Sequence, residues 1–303
     1  MNKRLHIVML ALAAFFWGTT FVAQSIGADH VGAFTYLAGR SWIAVVFLTP
    51  VVHTMDKLAD KKGVDNRRPK TAADRKLLFA AGVITGTSLC AASAAQQIGM
   101  AYTAASKAGF ITALYVVLVP VLSILARKRP KPRIWLCVLL SLVGMYLLCM
   151  TAERFSLERG DSFVLLSALL FAVEIMAVDY YVPLVDGVRL SRMQFLTVAV
   201  LSTVLMLLTE HPTAESVRSA LFSIAYAGIF SSGIGYTLQI LGQDGVDPAV
   251  ASLVMSLESV FSALSGWLVL GERLSRREIV GCVLMFTSIV LAQIELPRRK
   301  KQG

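Results

Sequence analysis

Four charged side chains stand inside otherwise apolar segments of this sequence, and they offer the most chemistry. They are Arg40, Lys107, Glu174 and Glu258. A charge at the centre of a membrane-spanning helix costs about 2.5–3.5 kcal/mol on insertion scales, so each one needs a compensating role. Both cations belong to the first half of the chain and both acids to the second. A cavity between the two halves could therefore pair them.

Each charge admits a functional and a structural interpretation. Glu258 and Glu174 could hold a substrate ammonium or exchange a proton. Glu258 could instead form a buried ion pair with Lys107 or Arg40 that fixes the helix packing. Glu174 could instead face a polar group of a neighbouring helix. Arg40 could bind a substrate carboxylate through two parallel hydrogen bonds, or extend toward the outer interface. Lys107 lies near the end of its apolar segment, which favours a structural role.

Four uncharged side chains could complete such a binding site. Gln96 and Gln239 occupy matching places in the two halves, and an amide both donates and accepts hydrogen bonds. Trp17 and Tyr115 could form apolar walls for an organic solute. Hydrogen bonding and packing between helices are the structural alternatives for all four residues.

Apolar helices must position these residues. Of 303 residues, 56% are hydrophobic and 16% are charged, whereas soluble proteins carry about 25% charged residues. Ten apolar segments can each cross a bilayer core of about 30 Å, and little chain remains for a soluble domain. The predicted spans are 5–27, 33–54, 76–97, 103–126, 134–151, 161–181, 191–209, 218–240, 247–270 and 276–295. The predicted fold class is an all-α integral membrane protein with ten transmembrane helices.

The basic excess follows the predicted topology. The formal net charge is +10, which in a soluble chain would suggest a nucleic-acid partner. With the N-terminus inside, the inner segments hold 21 Lys and Arg residues and the outer segments hold six. This distribution satisfies the positive-inside rule. It predicts cytoplasmic termini and contact with anionic lipid, and no nucleic-acid partner.

An internal repeat divides the chain into two halves. Three pairs of short stretches match in the same order, about 140 to 155 residues apart: Phe16–Phe21 with Phe171–Met176, Gln96–Gly99 with Gln239–Gly242, and Pro120–Ser123 with Ser259–Ser262. The predicted halves are residues 1–155 and residues 156–303, the second with a basic C-terminal tail. Five spans is an odd number, so the second half enters the membrane from the opposite side. Such inverted repeats are typical of alternating-access carriers, with the site at the repeat interface.

Short motifs give the chain a family resemblance. Trp17-Gly18-Thr19-Thr20-Phe21 resembles the W-G-x-x-F motif of EamA-type carriers in the drug/metabolite transporter superfamily. Leu257–Phe261 is similar to the L-E-P-V-F motif of that family, and residues 270–274 give its L-G-E-R-L stretch. Ser259 replaces the usual proline, so a proline kink is not expected in the ninth span. The resemblance implies a ten-helix 5+5 inverted repeat that carries small metabolites, often exporting amino acids or related compounds.

Competing function classes find little support in the sequence. No motif for nucleophilic, metal-dependent or phosphate-binding catalysis is present, so we expect neither enzyme activity nor a cofactor or metal. The expected function is export of a small-molecule substrate by alternating access, with proton coupling as an option. The alternatives are a facilitative exchanger of other organic solutes and a receptor or structural membrane protein. We expect a multi-pass protein of the bacterial cytoplasmic membrane, and small-xxx-small patterns leave a homodimer open.

Overall fold

The computed structural model describes residues 2–102, 105–128, 130–150, 159–270 and 275–293, and this part of the chain is helical without strands. The helices are α1 (Lys3–Ala28), α2 (Ala33–Lys62), α3 (Ala72–Met100), α4 (Ala105–Thr112), α5 (Tyr115–Leu125), α6 (Pro132–Cys149), α7 (Arg159–Tyr181), α8 (Gly187–Thr209), α9 (Ala214–Tyr226), a π segment (Ala227–Gly235), α10 (Tyr236–Gln243), α11 (Pro248–Met255), α12 (Glu258–Leu270) and α13 (Arg276–Gln293). The side chain of Lys107, residues 271–274, the predicted boundary between the halves and the basic C-terminal tail lie outside the described residues.

The membrane-spanning prediction is confirmed. Within the described ranges, nine segments are long and apolar enough to cross a membrane. The helix α13 is the tenth: it has 18 residues and packs along α6. Three charges in its first turn, Arg276, Arg277 and Glu278, lower its apolar content. Spans four, eight and nine each consist of consecutive helical pieces.

The packing of the helices follows an approximate two-fold relation. Helix α1 packs on α12 and on the eighth span, while α7, the first helix of the second half, packs on α5 and α3. These are the corresponding helices of the opposite half. The pairs α2–α8 and α6–α13 each join a helix to its own counterpart. This exchange of partners agrees with the predicted 5+5 repeat.

Local hydrogen bonds explain where several helices begin. Thr71 and Asp74 form a capping box at the start of α3, as the sequence indicates. Ser275 and Glu278 form a second capping box, because each backbone N–H donates to the other side chain. Ser191 and Gln194 have the same spacing but do not begin a helix: α8 begins four residues earlier, where the Asp186 side chain caps it.

Two spans are interrupted near their middle. The fourth breaks at Ala113–Leu114 and the ninth at Ser256–Leu257. Leu114 N–H donates to the carbonyl three residues back at 3.1 Å, and Leu257 N–H does so at 3.2 Å, which tightens the turn away from α-helical bonding. Pro120 lies inside α5, so the break in the fourth span does not fall at the proline.

The ninth span breaks without a proline, contrary to expectation. The hydroxyls of Ser252 and Ser256 donate to the carbonyls of Ala249 and Leu253, at 3.0 and 2.8 Å. Such bonds compete with the backbone ladder and bend helices. Two such bonds precede the interruption, which forms in the absence of a proline.

Polar contacts tie α2 to α8 at both ends. At one end the Glu210 carboxylate accepts from Phe34 N–H at 2.9 Å and from Thr35 N–H at 2.8 Å. At the other end Arg189, which is 4% exposed, donates to Asp56 and to Asn66 O. Through Asn66 O, the connector after α2 therefore contributes to an ordered contact between the halves.

The backbones of α6 and α13 approach each other closely at two glycines, Gly144 and Gly281. A Cβ atom added at Gly144 would lie 2.7 Å from Gly281 O, and one added at Gly281 would lie 2.5 Å from Gly144 O. Only a residue without a side chain permits this spacing, which small residues commonly provide between membrane helices.

We expect Gly144→Val to lower the unfolding midpoint of the detergent-purified protein, because forcing the helices apart costs about 1–3 kcal/mol. Heating followed by size-exclusion chromatography measures this midpoint. Val143→Leu is the matched control, since Val143 is 42% exposed on the lipid-facing side. Equal midpoints for the two variants would contradict the close contact.

Candidate functional site

A narrow cavity lies between the two halves, beside both helix breaks. Its volume of about 50 Å³ holds a few water molecules, so a metabolite fits only after the surrounding helices move apart. Seven of the eight predicted site residues line it: Trp17, Arg40, Gln96, Tyr115, Glu174, Gln239 and Glu258. The structure therefore brings together residues from both halves, and their roles remain predictions.

Glu258 and Tyr115 face each other where the two interrupted spans resume. Glu258 is the first residue of α12, and Tyr115 is the first residue of α5. The Tyr115 hydroxyl donates to Glu258 Oε1 at 3.1 Å, and both side chains are buried. Helix N-termini carry partial positive charge, and Glu258 lies at the start of α12.

The family-like motif in α1 allows this arrangement. A Cβ atom at Gly18 would lie 2.7 Å from Glu258 O and 2.6 Å from Phe261 Cβ. Glycine thus lets α1 touch α12 beside the carboxylate. The preceding residue, Trp17, turns its side chain to the cavity and packs against Tyr236, with ring centroids 4.8 Å apart and ring planes tilted by 52°. The motif positions one wall of the cavity.

Glu174 is held by amides. Gln194 Nε2 donates to its Oε1 at 3.2 Å, and Gln239 Nε2 donates to its Oε2 at 3.0 Å. Gln239 Nε2 also donates to Gln243 Oε1 at 3.1 Å, and Gln243 Nε2 donates to the Ile175 carbonyl at 3.0 Å. Glu174 is 1% exposed, and its hydrogen bonds compensate part of the cost of burial.

Two glutamines of this network, Gln194 and Gln243, are not among the predicted site residues. The spacing of Ser191 and Gln194 predicts a capping box, but the Gln194 side chain is buried and donates to Glu174. Gln243 stands four residues after Gln239, a spacing that puts both amides on one face of a helix. This spacing is the sequence signal that could have identified Gln243 as a partner of Gln239.

Arg40 binds hydroxyl groups. Its Nε donates to Ser232 Oγ at 2.8 Å and its Nη2 to Ser231 Oγ at 2.7 Å. Arg40 is 8% exposed, so it does not extend toward the interface. Among the described residues it forms no ion pair with Glu174 or Glu258, which differs from the pairing that the charge segregation suggested.

The π segment explains how two consecutive serines reach one guanidinium. Its wider turn departs from the 3.6-residue α-helical period, and such segments often occur at functional sites. Gly228 and Gly233 let it approach α2, because added Cβ atoms would lie 2.7 Å from Ile43 and Phe47. The distorted backbone therefore places two hydroxyl acceptors, those of Ser231 and Ser232, beside the buried Arg40 guanidinium.

Several polar atoms around the cavity remain available. Trp17 Nε1 and Gln239 Oε1 have no hydrogen-bond partner within the described part of the chain. Gln96 Nε2 donates to Thr112 Oγ1 at 3.1 Å. Gln96 and Gln239 thus both line the cavity, as their matching positions indicate, but they bind different partners.

Comparison with known proteins identifies the family. The sequence model of the EamA-like transporter family matches residues 4–150 and again residues 158–293. The chain belongs to the EamA-like transporter family. The same model matches each half once, in agreement with the repeated packing. This EamA-like protein is accordingly a multi-pass membrane transporter.

Related proteins can be matched to nearly the whole length of this EamA-like chain. An uncharacterized transporter of Archaeoglobus fulgidus is 28% identical over 97% of this chain and 88% of its own length. The uncharacterized transporter YwfM of Bacillus subtilis is 25% identical, over 99% and 97% respectively. A protein of known crystal structure matches 96% of this chain and 97% of its own, with a TM-score of 0.77 at 18% identity. That likeness shows a shared fold.

We expect the double variant Ser231→Ala/Ser232→Ala to destabilise this EamA-like transporter. It leaves two buried N–H groups of Arg40 without acceptors, and each unsatisfied group costs about 1–3 kcal/mol. The readout is the unfolding midpoint in detergent.

The matched control for this prediction is Ser202→Ala/Ser288→Ala. Both control serines are fully buried, but their hydroxyls donate to carbonyls of their own helices. If the two double variants lose equal stability, the serines of the π segment do not support Arg40.

Proposed function

We propose that this EamA-like transporter exports small metabolites, amino acids or related compounds, by alternating access coupled to proton entry. The observation that carries the proposal is the cavity at the interface between the halves. It combines carboxylates, a guanidinium, amides and aromatic rings, which are the groups needed to bind a zwitterionic organic solute. Inverted-repeat carriers bind their substrates in this place.

The proposed movement is a rocking of the two halves around the cavity. The cavity is too small for a metabolite, and α2 is tied to α8 at both ends. These features support a closed state between two open ones. Opening to either face would break the polar contacts at that face and keep those at the other.

The proposed roles of the charged residues follow from their contacts. Glu258 lies at the helix breaks, where relative motion of the half-helices would change its surroundings, and it serves as the proton-coupling group. Glu174 contributes negative charge for a substrate ammonium. Arg40 uses two donors on serines, and its remaining N–H groups can bind a substrate carboxylate.

A counterflow screen tests the transport proposal. Proteoliposomes are loaded with pooled amino acids, amines, nucleosides and sugars, and mass spectrometry follows their exchange against protein-free liposomes. We expect selective exchange of amino acids or related compounds, with uphill movement when a pH gradient is imposed. Exchange without any response to the gradient would favour a facilitative exchanger. No exchange by folded, inserted protein would contradict the carrier proposal.

We further propose that both termini face the cytoplasm and that the protein resides in the cytoplasmic membrane of a bacterium. A C-terminal fusion to green fluorescent protein should fluoresce, and a C-terminal fusion to alkaline phosphatase should be inactive. A phosphatase fusion after His211, in the connector between α8 and α9, should be active. The reverse pattern would overturn the orientation that the positive-inside rule predicts.

A further inference from the structure

A groove of about 380 Å³ lies beside the start of α3 and shares no lining residue with the cavity between the halves. Its lining residues come from α3 and α8: Arg75, Lys76, Leu78, Phe79 and Met193. We propose that this groove binds one anionic phospholipid of the cytoplasmic leaflet. The two cations would bind its phosphate, and the three apolar side chains would contact an acyl chain. This inference concerns a lipid partner and does not depend on which solute is carried.

The groove lies on the face of α3 that packs against α8. Arg75, Phe79 and Gly82 follow one another at helical spacing, which places them on one face of α3. A Cβ atom added at Gly82 would lie 2.5 Å from Met193 Cβ, so the two helices touch there. One turn earlier, Phe79 is 61% exposed. Open space therefore remains beside Met193 just before the point of close contact.

The two cations of the groove differ from their neighbours in having no acidic partner. In the connector before α3, Arg67, Arg68 and Lys70 each pair with an aspartate. Arg75 and Lys76 are exposed, and their side chains form no ion pair or hydrogen bond within the described ranges. They also lie near the N-terminus of α3, where the helix dipole favours negative charge. An anion beside these two side chains is therefore favourable.

The rest of the groove is apolar, which favours a lipid over a small soluble anion. Leu78, Phe79 and Met193 offer an anion neither charge nor a strong hydrogen-bond donor. The segment Ala72–Met100 is long and apolar enough to cross a membrane, so these side chains lie just inside the hydrocarbon and the cations lie at its boundary. A phospholipid has its parts in the same order, with a charged headgroup above an acyl chain.

The cytoplasmic leaflet is the expected source of this lipid. The positive-inside rule places the start of α3 at the cytoplasmic face, where anionic lipids attract basic segments. That general attraction would act equally on other exposed cations of the same face, such as Lys61 and Lys62 at the end of α2. The groove adds an apolar contact at a fixed place. Basic pockets between membrane helices on the cytoplasmic side commonly bind anionic headgroups.

A lipid in this groove would touch both halves of the protein. Arg75, Lys76 and Phe79 belong to the first half, and Met193 belongs to the second. A ligand that binds one arrangement of a protein more tightly than another stabilises that arrangement. The bound lipid would therefore stabilise the arrangement in which α3 and α8 are in contact, and we expect it to raise the unfolding midpoint.

Lipid binding to the purified protein tests the proposal. Delipidated full-length protein in detergent is titrated with phosphatidylglycerol, with phosphatidylcholine of the same acyl chains, or with glycerophosphoglycerol, which is the anionic headgroup without chains. Native mass spectrometry counts the bound molecules, and heating gives the unfolding midpoint. We expect one tightly bound phosphatidylglycerol and a raised midpoint. Neither change should occur with the other two compounds.

Variants locate the site. Arg75→Gln/Lys76→Gln should weaken phosphatidylglycerol binding about 30-fold, because two cations near the headgroup are lost. The matched control, Lys61→Gln/Lys62→Gln, removes two exposed cations outside the groove and should bind within about threefold of wild type. Arg75→Lys/Lys76→Arg keeps both charges and should also bind within about threefold. Phe79→Ala should weaken binding about fivefold, because part of the acyl contact is lost.

Three outcomes would overturn the lipid site. Equal weakening by the two charge-removing variants would mean general attraction to the basic face without use of the groove. Binding of glycerophosphoglycerol as tightly as the lipid would assign the cations to a soluble phosphate ester. Equal stabilisation by phosphatidylcholine would remove the role of the cations. Transport in the counterflow screen is a separate readout, so its presence with any of these outcomes would leave the carrier proposal intact.

Discussion

The structure depends on satisfying charged groups where water is scarce. In a membrane interior an unpaired charge is costly, and an obvious remedy is an ion pair. At this cavity the described residues use neutral partners: hydroxyls for Arg40, amides for Glu174 and a phenol for Glu258. Neutral partners reduce the cost of burial without cancelling the charge. An internal ion pair would neutralise such a group instead.

The irregular helices follow from this constraint. A regular eighth span would not direct consecutive serines at one guanidinium, and the π segment does so at the expense of normal backbone bonding. The interruptions of spans four and nine bring the starts of two half-helices to Tyr115 and Glu258. Non-helical backbone at membrane depth is tolerated where it is buried in protein or lines a cavity. Each distortion here lies beside the cavity.

The spans and the buried charges could be predicted from the sequence, but the partners of those charges could not. Apolar length reveals the spans, and costly charges such as Glu174 and Glu258 point to the interior because they need partners. The partners are harder to predict: Ser231 and Ser232 are ordinary residues for a membrane helix, and Gln194 has the spacing of a cap. Just before the break at Glu258, two serine hydroxyls bond to carbonyls of their own helix. Such preferences are weak individually, and tertiary packing decides among them.

The contacts between α2 and α8 differ in kind at the two ends of the helices. At one end a carboxylate, Glu210, caps the start of α2 through backbone N–H groups and the Thr35 hydroxyl. At the other end Arg189 joins Asp56 and Asp186 in a cluster of ion pairs. Separating Arg189 from its partners would require each ion to find water or new partners, since an unpaired buried charge is strongly destabilising. In the proposed rocking movement, opening at the Arg189 end would therefore require water to enter as the helices part.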